Sequence, residues 1–177
     1  ILKKFINGFH DNDDKFNLKD IISSKEPIHY KLPSSKKFVV HSFTDSLSDL
    51  ENLLSLSPNC YIGMNGASFR LEENIESVKR VPLDRLLLET DAPWCEIRRT
   101  HEASKYLKDY QPLPYKSVKR DKLSKIEEDE WNNYMIKSRN EPCTMEQVAT
   151  VIANIKGLPL SEVVDQVWET SCSIYGA

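Results

Sequence analysis

Lys37-Phe-Val-Val-His-Ser-Phe43, Cys60-Tyr-Ile-Gly-Met64 and Arg85-Leu-Leu-Leu-Glu-Thr90 are the stretches that decide the fold. Each is a short apolar run closed by turn residues: Thr44, Asp45 and Ser46, then Asn65 and Gly66, then Asp91-Ala-Pro93. Runs that stay apolar instead of alternating suit strands buried on both faces. Two segments of helical period lie between them. Leu47, Leu50, Leu53 and Leu54 share one face of a helix that stops near Pro58, and Leu71, Ile75 and Val78 share one that ends near Arg80, before Pro82. Strand, helix, strand, helix, strand with short links predicts an α/β fold with a parallel sheet covered by helices.

Working outward, Thr144 and Gln147 have capping-box spacing after Pro142, which predicts a helix running to Gly157. A last helix after Ser161 places Val164, Val167, Trp168 and Tyr175 along one stripe, expected to pack into the core. Upstream, Ile1 to Asn7 reads as a helix end stopped by Gly8, so the chain reads as starting inside an element. Phe9 to Lys36 follows as a polar surface insertion. Asp11, Asn12, Asp13 and Asp14 lack the glycine and terminal glutamate of a calcium loop, and His10 and His29 are expected in solvent.

At 177 residues, 40% hydrophobic and 29% charged, the chain has the size and apolar content for one packed domain and is not disordered. No apolar run approaches the ~20 residues of a membrane helix, so no membrane partner is expected. The four cysteines are far apart and form no C-x-x-C pair, which disfavours zinc-ribbon and redox readings. Each is expected to be a small buried hydrophobe in a reducing compartment, pointing to an intracellular location, cytoplasmic or nuclear.

The net charge of -3 argues against nucleic-acid binding by bulk charge alone. Between Arg98 and Lys125, however, nine Lys/Arg stand against three Asp/Glu, with Tyr106, Tyr110 and Tyr115 among them. Basic side chains beside aromatic rings suit a single-stranded nucleic acid. A solvated, lysine-rich surface loop would read the same way.

In parallel sheets and barrels, functional groups gather at the C-terminal strand ends. Alternation puts Glu89 and Asp91 on one side, where a divalent cation would relieve their repulsion, and His41 follows Val39 in the same manner. Singly, His41 could be a core histidine and either carboxylate a cap or a loop ion pair. Together on neighbouring strand ends, an imidazole with carboxylates is a plausible metal site.

At these residues the sequence resembles the TatD family of metal-dependent deoxyribonucleases. The resemblance rests on Val39-Val-His41-Ser-Phe-Thr44, Tyr61-Ile-Gly-Met-Asn-Gly66, Leu86-Leu-Leu-Glu-Thr-Asp91-Ala-Pro-Trp94 and Arg139-Asn-Glu-Pro142, in family order. Thr100-His-Glu-Ala-Ser-Lys-Tyr106 is similar to the segment found in eukaryotic members. The resemblance implies a TIM-type (β/α)8 barrel of the metal-dependent hydrolase kind, cleaving DNA with divalent cations, Mg2+ first, with Zn2+ or Mn2+ as alternatives. It implies His41 and Asp91 as metal residues, with Asp91 also the catalytic group that holds or deprotonates the attacking water. Glu89 is expected to support that catalysis from behind the ligands, and His101, Lys105 and Arg139 are expected to bind substrate through its phosphates. Residues 37–177 would then be the C-terminal half of one catalytic domain, with 1–36 as helix end and insertion.

The family's strand-one His-x-His pair, its glutamate after strand three and its histidine on strand four have no counterpart here. Asp45 also stands where the family has glycine, a substitution that matters if the position needs positive φ. The expected function is DNA phosphodiester hydrolysis of 3'-5' exonuclease character on single-stranded or frayed ends, with this chain inactive by itself. The alternatives are a barrel hydrolase of small esters or amides, and a metal-free interaction protein on the same scaffold.

Overall fold

A computed structural model describes residues 35–176. The helix end expected before Gly8, the polar insertion expected up to residue 34, and His10 and His29, expected in solvent, lie outside the described residues. The first strand, β1 (Phe38–Val40), leads to helix α1 (Leu47–Leu56), and β2 (Cys60–Met64) leads to helix α2 (Glu72–Arg80) and strand β3 (Leu86–Leu88). The three strands form one sheet in the order β1-β2-β3, all parallel, with Phe38 opposite Cys60 and Ile62 opposite Leu86. The expected β-α-β-α-β unit is present. The chemistry of the turns explains its boundaries: the Ser46 side chain accepts from Asp49 N to cap α1, and Arg85 clamps that helix's far end. Arg85 donates to the Leu54, Ser57 and Cys60 carbonyls. Such charge-assisted bonds contribute on the order of 1.5–3 kcal/mol.

Leu50 of α1, Ile62 and Met64 of β2, Val78 of α2 and Leu86 of β3 are fully buried and share a core with Phe43 and Phe69. Helices α4 (Met145–Lys156) and α5 (Leu160–Tyr175) close that core with Val151, Ile152 and Val163. Gly157 sits at φ 67 just beyond α4, the left-handed stop its sequence predicts.

Five expectations are corrected. On α5 the buried stripe is Val163, Val167 and Thr170, while Val164, Trp168 and Tyr175 lie one residue further round the helix and are exposed. Leu71 is exposed because it precedes the first turn of α2 and so has no place on its buried face. Of the four cysteines only Cys60 is fully buried, and Cys143 is exposed. Thr144 makes no capping bond to α4: a 3-10 turn at Pro142–Thr144 turns its hydroxyl back to Asn140 and Glu141.

The fifth concerns the basic segment, which is not a bare loop. It holds a 3-10 stretch (Glu102–Leu107) and strand β4 (Lys116–Val118), then the one-turn helix α3 (Arg120–Leu123). Downstream, β5 (Tyr134–Ile136) pairs parallel with β4. Ala103 is buried and Tyr106 packs on the core, so Tyr106 is not a stacking surface. No helix among the described residues is long and apolar enough to cross a membrane.

Candidate metal centre

His41, Asn65 and Glu89 each stand one residue beyond their strand, so three side chains emerge together at the C-terminal edge of the sheet. The ladder continues past the strands through Phe43 N to Gly63 O at 2.9 Å and Glu89 N to Met64 O at 2.9 Å, which fixes the height of both loops. His41 Nδ1 lies 2.9 Å from Glu89 Oε1 and its Nε2 lies 3.4 Å from Asp91 Oδ2. One ligand atom from each of His41, Glu89 and Asp91 falls within 4.8 Å of the others. The hydrogen bond that His41 donates to Glu89, and the charge of that carboxylate, hold the imidazole above the ordinary histidine range, and the Asp91 charge adds to this.

The loops are shaped for this convergence. Ser42 and Asp91 both adopt positive φ, at 53 and 49, although neither is glycine. Non-glycine residues in that region cost of order 1–3 kcal/mol and cluster at functional sites. Asp45, the expected candidate for positive φ, does not have it; the turn is made three residues earlier, at Ser42. Ser42 N donates to Glu89 Oε2 at 2.9 Å, so the turned backbone grips the carboxylate that faces His41.

Two residues behind this triad, both within the Tyr61–Gly66 motif, have no role assigned from the sequence. Asn65 is fully buried; its Nδ2 donates to Asp91 Oδ2 and Ser42 Oγ, both at 2.8 Å, and its Oδ1 accepts from Ala67 N. Its signal was its position, since it follows β2 as His41 follows β1 and Glu89 follows β3. Gly63 is the other: a Cβ there would lie 1.8 Å from Glu89 Oε1. Three residues on, a Cβ at Gly66 would lie 1.9 Å from Cys95 O, so glycine there admits the 91–95 loop.

The remaining expected residues lie elsewhere. His101 Nδ1 accepts from Arg98 N at 3.3 Å, and burial, with Arg70 and Arg98 nearby, lowers its pKa. Lys105 is exposed and paired with Glu102. Arg139 pairs with Glu141 through Nε at 3.3 Å and lines a groove beside Trp94. None of the three has a hydrogen bond or ion pair with the triad.

One imidazole and two carboxylates suit a hard-to-borderline divalent cation, and His41 lies between the two, Nδ1 toward Glu89 and Nε2 toward Asp91. This donor set stands at the C-terminal edge of the parallel sheet, where barrel enzymes carry their active sites. The family model for TatD related DNase matches residues 8–176. Deoxyribonuclease Tat-D of Saccharomyces cerevisiae is 50% identical over 183 aligned residues, covering 99% of this chain and 43% of that protein. A 3'-5' ssDNA/RNA exonuclease TatD of Erwinia amylovora is 30% identical, covering 82% of this chain and 44% of its own length. Among solved structures, an amidohydrolase from Saccharomyces cerevisiae superposes with a TM-score of 0.82 at 48% identity, covering 98% of this chain and 49% of that one. A TatD family hydrolase from Entamoeba histolytica gives 0.69 at 30% identity, covering 81% and 43%. The chain belongs to the TatD family of deoxyribonucleases, and its fold is of the metal-dependent hydrolase TIM-barrel type. It spans less than half the length of the relatives it matches.

Proposed function

We propose that the whole protein hydrolyses DNA phosphodiester bonds with a divalent cation, and that His41 and Asp91 help to hold it. The observation that carries this reading is the gathering of one ligand atom each from His41, Glu89 and Asp91, brought from two strand ends to within 4.8 Å of one another. Residues 37–177 would form the C-terminal half of one (β/α)8 barrel, with further ligands supplied by other strands; these residues by themselves are then inactive. The share of its relatives that the chain covers supports that division.

A divalent cation, Mg2+ first with Mn2+ or Zn2+ as alternatives, lowers the pKa of water and offsets charge on phosphate oxygens. Asp91 accepts the proton of the attacking water as the new P–O bond forms and the old one breaks. Its carboxylate is held for this by Asn65, leaving it one rigid direction. Glu89 orients His41 through Nδ1 and raises its basicity, as carboxylates do for ligating histidines. His101 and Lys105 contribute phosphate contacts from the 3-10 stretch, and Arg139 contributes another from the groove.

The 3'-5' exonuclease character on single-stranded or frayed DNA is supported by the Erwinia relative's name. An intracellular place, cytoplasmic or nuclear, is supported by the four unpaired cysteines. Incubating the whole protein and Mg2+ with single-stranded DNA and with small esters and amides tests the proposal. Cleavage of the DNA, reduced about 10²–10⁴-fold by Asp91→Asn, is the expected result; turnover of only the small substrates would overturn it.

A further inference from the structure

Immediately beyond Asp91, a groove of about 670 Å3 opens between Pro93, Trp94, Arg120, Trp131, Lys137 and Arg139. Trp94 is 74% exposed, an unusual position for the largest apolar side chain, and Trp131 is 40% exposed. Three of the lining side chains are cationic, and among the described residues no carboxylate lines the groove. Its volume falls in the roughly 300–1,000 Å3 span of ligand sites.

The groove is tied to the metal centre by short covalent and hydrogen-bonded links. Trp94 N donates to Asp91 O at 2.7 Å, so the indole's backbone is fixed by the candidate ligand itself. Buried Asn140 bridges the two walls: its N donates to Pro93 O at 3.0 Å and its Nδ2 to Thr90 O at 2.7 Å. On the far wall, Trp131 Nε1 donates to Ile126 O at 3.0 Å, which anchors the indole edge. Pairing of β4 with β5 carries Lys137 to the rim, where its N donates to Val118 O at 2.8 Å.

We propose that this groove holds an unpaired nucleic-acid strand next to the scissile bond. The indoles of Trp94 and Trp131 stack on bases, and Arg120, Lys137 and Arg139 contact phosphates. The two ligand features appear together here: every base offers a π-face to an exposed indole, and the cations track the backbone without reading sequence. A duplex hides its base faces and gains only the phosphate contacts. The proposal rests on the nuclease reading for its substrate class, and its test is independent of cleavage.

The test is fluorescence anisotropy of the whole protein with labelled oligo-dT and oligo-rU of about 12 nucleotides, in EDTA so that no cutting occurs. Trp94→Ala and Trp131→Ala should each weaken binding of the preferred oligomer about 5- to 150-fold. Trp94→Phe and Trp131→Phe, which keep a ring, should retain most of the affinity. Arg139→Ala should lower the slope of log affinity against log salt by about 0.7, the release expected per phosphate contact on a single strand. Trp168→Ala, on the exposed side of α5, should leave binding unchanged. Parent-like binding by both indole deletions overturns the proposal, as does a duplex binding as tightly as the single strand, or an equal loss in Trp168→Ala. Failure here leaves Mg2+-dependent cleavage untouched as a result, and failure of cleavage leaves indole-dependent binding standing.

Discussion

Asn65 Nδ2 donates to Asp91 Oδ2 at 2.8 Å from a side chain with no solvent exposure. A buried amide is costly unless satisfied, and this one is satisfied at both ends, by Ala67 N on its oxygen and by Ser42 and Asp91 on its nitrogen. The carboxylate of Asp91 is therefore aimed before any ligand arrives.

Asn65→Asp tests this aim. The replacement keeps the oxygen that accepts from Ala67 N but removes the donor and sets a second carboxylate against Asp91. Metal affinity, read by calorimetry with Mn2+, should fall about 10- to 100-fold, as for other groups that orient ligands. Unchanged affinity would make Asn65 a packing residue only.

Gly63→Ala tests the clearance under Glu89. Its Cβ would sit 1.8 Å from Glu89 Oε1, so the carboxylate must leave its place between His41 and Ser42. Gly63→Ala should weaken Mn2+ binding, and adding Glu89→Ala should cause little further loss. The double variant should also unfold at higher urea than Gly63→Ala by itself, since the clash has gone. A coupling of roughly 0.5–3 kcal/mol is expected for residues in direct contact; simple additivity would contradict the clash.

The protonation of His41 supplies a pH dependence. Glu89, by hydrogen bond and charge, raises the folded pKa of this imidazole above 6.5. With a raised folded value, the protonated form contributes stability below the unfolded pKa, and that contribution is lost as pH rises through the folded one. Mn2+ competes for the same nitrogens, so affinity should fall as pH drops through that raised value, with proton release on binding. Glu89→Gln should move the His41 titration, followed by NMR, back toward the ordinary range. A His41 titration indifferent to Glu89→Gln would refute the pairing.

Much of the sheet was legible because each strand is a dense apolar run with turn residues at its end. Cys60–Met64 and Leu47–Leu56 match their patterns closely. The candidate site was legible for the same reason, since the strand ends at Val40 and Leu88 bring His41 and Glu89 out at one edge, with Asp91 two residues on. What escaped was what depends on contacts distant in sequence. Strands β4 and β5 are three residues each, too short for a period, and exist through pairing with each other. On α5, Val163 and Val164 are equally apolar, and only packing against α4 and β3 decides which one turns inward. Positive φ at Ser42 and Asp91 has no glycine to announce it, because hydrogen bonds from Asn65 and to Glu89 hold those turns.

The most direct measurement is an anomalous difference map from a Mn2+-soaked crystal of the whole protein. A peak is predicted roughly 2.0–2.2 Å from a His41 nitrogen and an Asp91 carboxylate oxygen, with Asn65 still bonded to Asp91. A map with Mn2+ bound elsewhere, and His41 still lying between Glu89 and Asp91, would contradict the assignment of these residues as metal ligands.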